Sequence, residues 1–160
     1  MNDELKVVIN RLKNNIETVP KRFLQFPEEE LTGKPEPSKW SKKEILGHLV
    51  DSAANNHHRF VKAQFQVEPF HMEGYAQNEW VDIQRYNEKN SKSLVELWKL
   101  YNDHILFIME NTPEQNLEIK CIAEDAFENA ETLFYLMKDY VDHMDHHLSQ
   151  IFNNDTRRLK

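Results

Sequence analysis

The sequence predicts an all-α fold, a four-helix bundle. Three observations lead there. Apolar residues recur at three- and four-residue steps in separate stretches along the chain. The 160 residues include only 3 glycines, are rich in Leu, Glu, Lys, Asn and Asp, and contain few β-branched runs. Capping and breaking signals mark several of the boundaries that the periodicity suggests.

The first helix is expected over 3–19, with Leu5, Val8, Ile9, Leu12 and Ile16 on one face and Pro20 ending it. Pro27, Gly33, Pro35 and Pro37 make 21–37 an irregular connection, with a helical turn around 22–25. Ser41 and Glu44 form a capping box that launches a second helix over 41–66, with Trp40 placed to staple back onto its first turn. Ile45, Leu49, Ser52, Ala53, Asn56 and Phe60 trace its inner stripe, and His48 lies beside Leu49 and Ser52. Gly47 is unusual inside a helix, where it costs about 1 kcal/mol against Ala; it either lets a neighbouring helix approach the candidate site closely or is a tolerated weakness.

Residues 68–86 have no clean period and read as a long crossover loop with a short helical turn over 78–85. Phe70, Tyr75 and Trp80 either line a pocket mouth or plug a core edge. A third helix follows over 88–111, with a capping-box pattern at Ser93 and Glu96. Its apolar face is Leu94, Leu97, Trp98, Tyr101, Ile105, Ile108 and Met109, and Thr112-Pro113 stops it. Residues 117–122 suit a short extended piece. The fourth helix is expected over 129–152, with Leu133, Leu136, Met137, Tyr140, Val141, Met144, Leu148 and Ile151 facing inward.

The length suits a single domain over 1–160 with a real core. A formal charge of −7 argues against nucleic-acid binding, and the one basic cluster, Arg157, Arg158 and Lys160, is small. Cys121 is the sole cysteine, so no intrachain disulfide forms and a reducing compartment is natural. The charged opening Met1-Asn2-Asp3-Glu4 does not read as a signal peptide, and no apolar run is long enough to cross a bilayer. A cytoplasmic location is therefore expected, with no membrane partner.

The candidate chemistry lies in Asp142-His143-Met144-Asp145-His146-His147-Leu148-Ser149-Gln150. His143 and His147, four residues apart on a helix, put both imidazoles on one face, a spacing that can grip one metal ion. The same spacing also suits a pair of core or surface histidines; the apolar face they share favours the metal, because buried imidazoles need partners. His146 falls with Asp139, Asp142 and Ser149 on the polar face, as a solvated histidine paired with an acid or a group behind the ligands. His57 and His58 point apart from each other, His71 is in the loop, and His104 is on the third helix; these are expected outside the site.

Two segments then resemble a known family. Trp40-Ser41-Lys42-Lys43-Glu44-Ile45-Leu46-Gly47-His48-Leu49-Val50-Asp51 resembles the start of the second helix in the DinB/YfiT-like superfamily. Asp139-Tyr140-Val141-Asp142-His143-Met144-Asp145-His146-His147-Leu148-Ser149-Gln150-Ile151 resembles the end of its fourth. Glu79-Trp80 and Leu97-Trp98-Lys99-Leu100-Tyr101-Asn102-Asp103-His104 look closest to the YfiT branch. The resemblance implies a four-helix bundle, often dimeric, with a divalent metal on three histidines, which fall here on His48, His143 and His147. It implies a metal-dependent hydrolase, or a transferase using a low-molecular-weight thiol such as bacillithiol or mycothiol, acting on a small-molecule substrate. Imidazole ligands suit zinc or nickel. Asp51, one turn from His48, orients an imidazole, acts as a base, or is an ordinary surface acid. The contrasting reading is a stress-related or binding protein whose metal is structural.

Overall fold

The computed structural model describes residues 3–124 and 129–153; the Arg157, Arg158 and Lys160 cluster lies outside them. Four long helices form the bundle: α1 (Asp3–Phe23), α3 (Lys42–Ala63), α5 (Ser91–Asn111) and α6 (Leu133–Phe152). Two short helices, α2 (Glu28–Thr32) and α4 (Gln77–Gln84), and three short strands, β1 (Phe70–Met72), β2 (Lys120–Ala123) and β3 (Ala130–Thr132), fill the connections. No helix among the described residues is long and apolar enough to cross a membrane.

The bundle is not a simple up-and-down one. α5 and α6 both flank α1, and both flank α3, so the consecutive long helices α1 and α3 stand diagonally. Side-chain contacts fix the directions. Arg11 pairs with Asp142 and Asp145 while Arg22 lies 3.9 Å over the Phe152 ring, so α1 and α6 run parallel. Lys13 meets Glu110 near the end of α5, while Ser91 at its start donates to Glu28 just beyond α1, so α1 and α5 are antiparallel. α3 opposes α6, which makes α3 and α5 parallel neighbours. A parallel pair needs a connection that returns the full length of the bundle, and this is what the long 64–90 crossover does. It leaves α3 at the far end, adds β1 to the sheet there, and climbs back along α3 through α4.

The expected inner faces are largely those observed. All eight apolar positions named on the fourth helix are buried, as is the stripe from Ile45 to Phe60. Leu97 is the exception on α5, 38% exposed, with Val95 and Asn102 buried instead. Asn102 is tolerated there because Tyr140 donates to its Oδ1 at 2.6 Å and its amide donates to the Trp98 carbonyl at 2.8 Å.

Several boundaries differ from expectation. α1 passes through Pro20 and runs to Phe23. Proline near a helix end forfeits one backbone bond, and burial of Val19 and Phe23 on either side outweighs that loss. The 21–37 connection contains α2, held by buried Leu31 and by Glu28, whose carboxylate accepts from Lys43 and Ser91, each at 2.6 Å. α5 is capped by Asn90, which accepts from the Ser93 backbone N–H, so Ser93 is capped and not the cap. α6 begins at Leu133 with Thr132 as its cap, because 130–132 pairs with β2. The sheet, β1 parallel and β3 antiparallel to central β2, closes the end remote from α6's C-terminus. Its strands of three or four residues are too short to show an alternating pattern.

Candidate metal centre

The start of α3 and the end of α6 meet at one end of the bundle. The Ser41 capping box fixes where α3 begins: the Ser41 hydroxyl accepts from the Glu44 N–H, and Glu44 accepts back from the Ser41 N–H at 2.8 Å. Leu46, Leu49 and Val50 lock this part of α3 into the core, while Val141, Met144 and Leu148 lock the facing part of α6. Those packed faces aim His48, His143 and His147 at a common point.

The three rings lie at 4.6 to 5.1 Å between centroids and are steeply inclined to one another. One ligand nitrogen from each falls within 4.8 Å of the other two. His48 Nε2 and His143 Nε2 are 3.2 Å apart. Two nitrogens bound to one zinc at 2.0–2.1 Å and at the tetrahedral angle lie about 3.3 to 3.4 Å apart, so the pair is spaced as a shared ion requires. The donor set, three imidazoles, suits zinc or nickel.

Electrostatics keep these rings neutral, the form in which imidazole binds metal. Burial pushes His48 down to about 3, with His147 and His143 adding to the shift. Burial, then His147 and His146, take His143 to about 4. His147 is lowered mainly by burial, against a hydrogen bond to Gln150 that acts the other way.

Two residues whose roles the sequence did not disclose shape the centre. Gln150 Oε1 lies 2.9 Å from His147 Nδ1, and its amide nitrogen lies 3.2 Å from His146 Nε2. With the Gln150 carbonyl accepting from His147 Nδ1–H, His147 Nε2 is left for the cluster. The i, i+3 spacing from His147 was the available signal. His146 is exposed and meets this amide rather than an acid. Trp40, expected as a staple, stacks over His48 at 4.8 Å between centroids and reaches His147 at 6.4 Å. It roofs the centre on the side where a cavity of about 730 Å³ opens, lined by His147, Gln150, Trp40, Ile45, Lys39 and Asn78 among others.

Asp51 is buried, 2% exposed, so it is not a surface acid. Its Oδ1 accepts from Tyr86 OH at 2.6 Å and from Gln84 at 2.7 Å. Burial raises its pKa above the usual carboxylate range, against the pull of those two bonds. Its Oδ2 and His48 Nδ1 are both buried without a hydrogen-bond partner. Tyr86 reaches Asp51 by packing its ring against Gly47, where an added Cβ would fall 2.1 Å from a ring carbon. The close neighbour that Gly47 admits is therefore this ring and not another helix.

The remaining histidines lie outside the cluster. His57 faces His104 across α3 and α5 at 4.9 Å between centroids. His58 and His71 line a separate cleft with Phe70 and Trp80. Phe70 is buried, and Tyr75 packs edge-on against Trp80; these three aromatics thus stand away from the cavity at the metal centre.

Comparison with known proteins agrees with this architecture. The sequence model of the DinB superfamily matches residues 11–151. Among solved structures, YfiT from Bacillus subtilis, a probable metal-dependent hydrolase with an unusual four-helix bundle topology, superposes with a TM-score of 0.85 at 18% identity, covering 99% of this chain and 90% of that one. No curated protein matches the chain significantly.

Proposed function

The chain belongs to the DinB superfamily, and from that premise we propose that it is a metal-dependent enzyme, a hydrolase or a thiol S-transferase, acting on a small molecule through a zinc or nickel ion held by His48, His143 and His147. The observation that carries the proposal is the convergence of three neutral imidazoles from two helices, one of which, His147, lines an open cavity. Three uncharged ligands leave a divalent ion its full charge, which supplies Lewis acidity to a water or a low-molecular-weight thiol.

The protein's own groups do the positioning. Gln150 holds the His147 tautomer, and Trp40 excludes solvent from one face of His48. Asp51 Oδ2 and His48 Nδ1, two unpartnered buried atoms one turn apart on α3, are suited to share a bridging water that orients the His48 ring. Asp51→Asn, which keeps the Tyr86 contact as an acceptor, is then expected to weaken metal binding about tenfold while leaving unfolding by urea little changed.

Metal analysis of tag-free protein is the first test, with about one equivalent per chain expected and its loss in His143→Ala. The metal-loaded protein is then assayed with an electrophilic probe and several thiols, including bacillithiol, beside an esterase and amidase panel. Full metal occupancy with no turnover in either arm overturns the enzymatic reading and leaves the ion a structural role. Turnover of one arm that His143→Ala abolishes decides between transfer and hydrolysis.

A further inference from the structure

We propose that the cleft between α3 and the β1–α4 segment is a second binding site, one that takes a small molecule through an oxyanion group held by Arg59 and Lys62 with His58 and His71. His58 and Arg59 each lie three or four residues from both Asn55 and Lys62, so one side of α3 presents the four together to the cleft. β1 brings His71 to the same cleft from the other side. Arg59 fixes the far wall by donating to the Glu73 carbonyl at 2.7 Å.

The charge balance here runs against the rest of the molecule. The chain has 27 acidic residues against 20 lysines and arginines. Elsewhere its cations are repeatedly matched: Arg11, Lys13, Lys34, Lys43, Lys99 and Lys138 each have a carboxylate within 4 Å. Among the described residues none of Arg59, Lys62, His58 and His71 has such a partner, and Glu73 is the one carboxylate residue lining the cleft. Arg59 is half-buried, and burial lowers its pKa below the usual guanidinium value. A partly desolvated guanidinium without a carboxylate is stabilised by an incoming one, or by a phosphate, which its planar fork matches in geometry.

The cleft's size and walls narrow the ligand. Its volume of about 280 Å³ admits a phosphate or carboxylate with a small apolar body, and Phe70 and Trp80 supply an apolar lining for that body. The site is distinct from the metal centre: at about 1.5 Å of rise per residue, Arg59 stands roughly 16 Å along α3 from His48.

Inorganic phosphate, phenyl phosphate and benzoate are titrated into the metal-loaded protein while the imidazole C–H resonances are followed by NMR. Saturable shifts at His58 and His71, with His104 unmoved, are the expected result. The Arg59→Gln/Lys62→Gln variant is expected to weaken the binding by at least about tenfold at unchanged metal content. Lys62→Gln alone, at an exposed position that cannot unfold the chain, weakens it by a smaller factor. Saturation by benzoate but not by either phosphate identifies a carboxylate site. Shifts that stay linear in ligand, that are equal at His104, or that persist unchanged in both variants overturn the proposal.

Discussion

Gly47→Ala tests the link between the packing of the crossover and the metal centre. On an exposed helix this change adds about 1 kcal/mol of stability, because alanine loses less backbone entropy on folding. Here the new Cβ would lie 2.1 to 2.5 Å from three carbons of the Tyr86 ring, and ordinary contact starts near 3.4 Å. Tyr86 is 3% exposed, and one of those atoms is Cγ, next to its backbone, so no rotation of the ring tip relieves the overlap. The 3-10 turn that carries Tyr86 must retreat by about 1.3 Å, which draws its hydroxyl away from Asp51 and leaves a buried carboxylate short of a donor. Overpacking costs about 1–3 kcal/mol and an abandoned buried acceptor a similar amount. Against the helical gain, the net loss is about 1–5 kcal/mol, or a fall in Tm of about 3–15 °C for a chain of this size. Urea unfolding with unchanged m-value measures it. In a cycle with Tyr86→Ala, the double variant is expected to be more stable than the sum of the single changes implies, by about 1–3 kcal/mol. A Gly47→Ala protein as stable as the parent would refute the argument, because the ring could not then rest where an alanine methyl must go.

The remaining predictions concern the imidazoles. Gln150→Ala frees the His147 tautomer, so metal affinity is expected to fall about 10- to 100-fold, while the unfolding free energy, at this exposed position, moves by less than about 0.5 kcal/mol; competition with a chromophoric chelator reads the first and urea the second. The metal-free protein should lose stability as pH falls. His143 titrates near 6.5 when unfolded and near 4 when folded, so the unfolded chain takes up the proton first. Its share of the stability is complete above about pH 7 and declines below 6.5, with about 2 kcal/mol gone at pH 5. Urea titrations of metal-free parent and His143→Gln at both pH values isolate this share, and equal losses in the two proteins would contradict it.

How much of this was legible in the sequence follows from where the information lies. The faces of α1, α3 and α6 are written in three- and four-residue spacing, because each helix buries one stripe against a single core. The convergence of His48 with His143 and His147 was reached through resemblance to a family; spacing gave only the pair on α6. The burial of Asp51 was not readable, because its cover comes from Gln84 and Tyr86, more than thirty residues away in a segment without a regular period. The extended piece expected over 117–122 overlaps β2, but its partners escaped notice because the pairing of Phe70 with Cys121 and of Cys121 with Glu131 is non-local and the strands are short. Pro20 misled because its cost to the helix is offset by burial of Phe23 beyond it, which its position in the sequence does not reveal.

The arrangement of the helices bears on whether a metal here would serve chemistry or hold the bundle together. The three imidazoles come from only two helices, α3 and α6, which already pack against each other and bury Leu46, Leu49, Ala53, Met144 and Leu148 in the core. An ion at their end adds a crosslink where apolar burial, at about 25 cal/mol per Å², has already fixed the geometry. It does not join α1 or α5, the helices a structural staple would gain most by tying. The cost of bringing His48 to His143 is met by core formation, so a metal would meet imidazoles already arranged, unlike small metal-folded domains whose chain orders only on binding. Preorganised neutral imidazoles, one of them bordering an open cavity, would raise metal affinity and leave one face for a substrate. That combination suits catalysis better than it suits a staple.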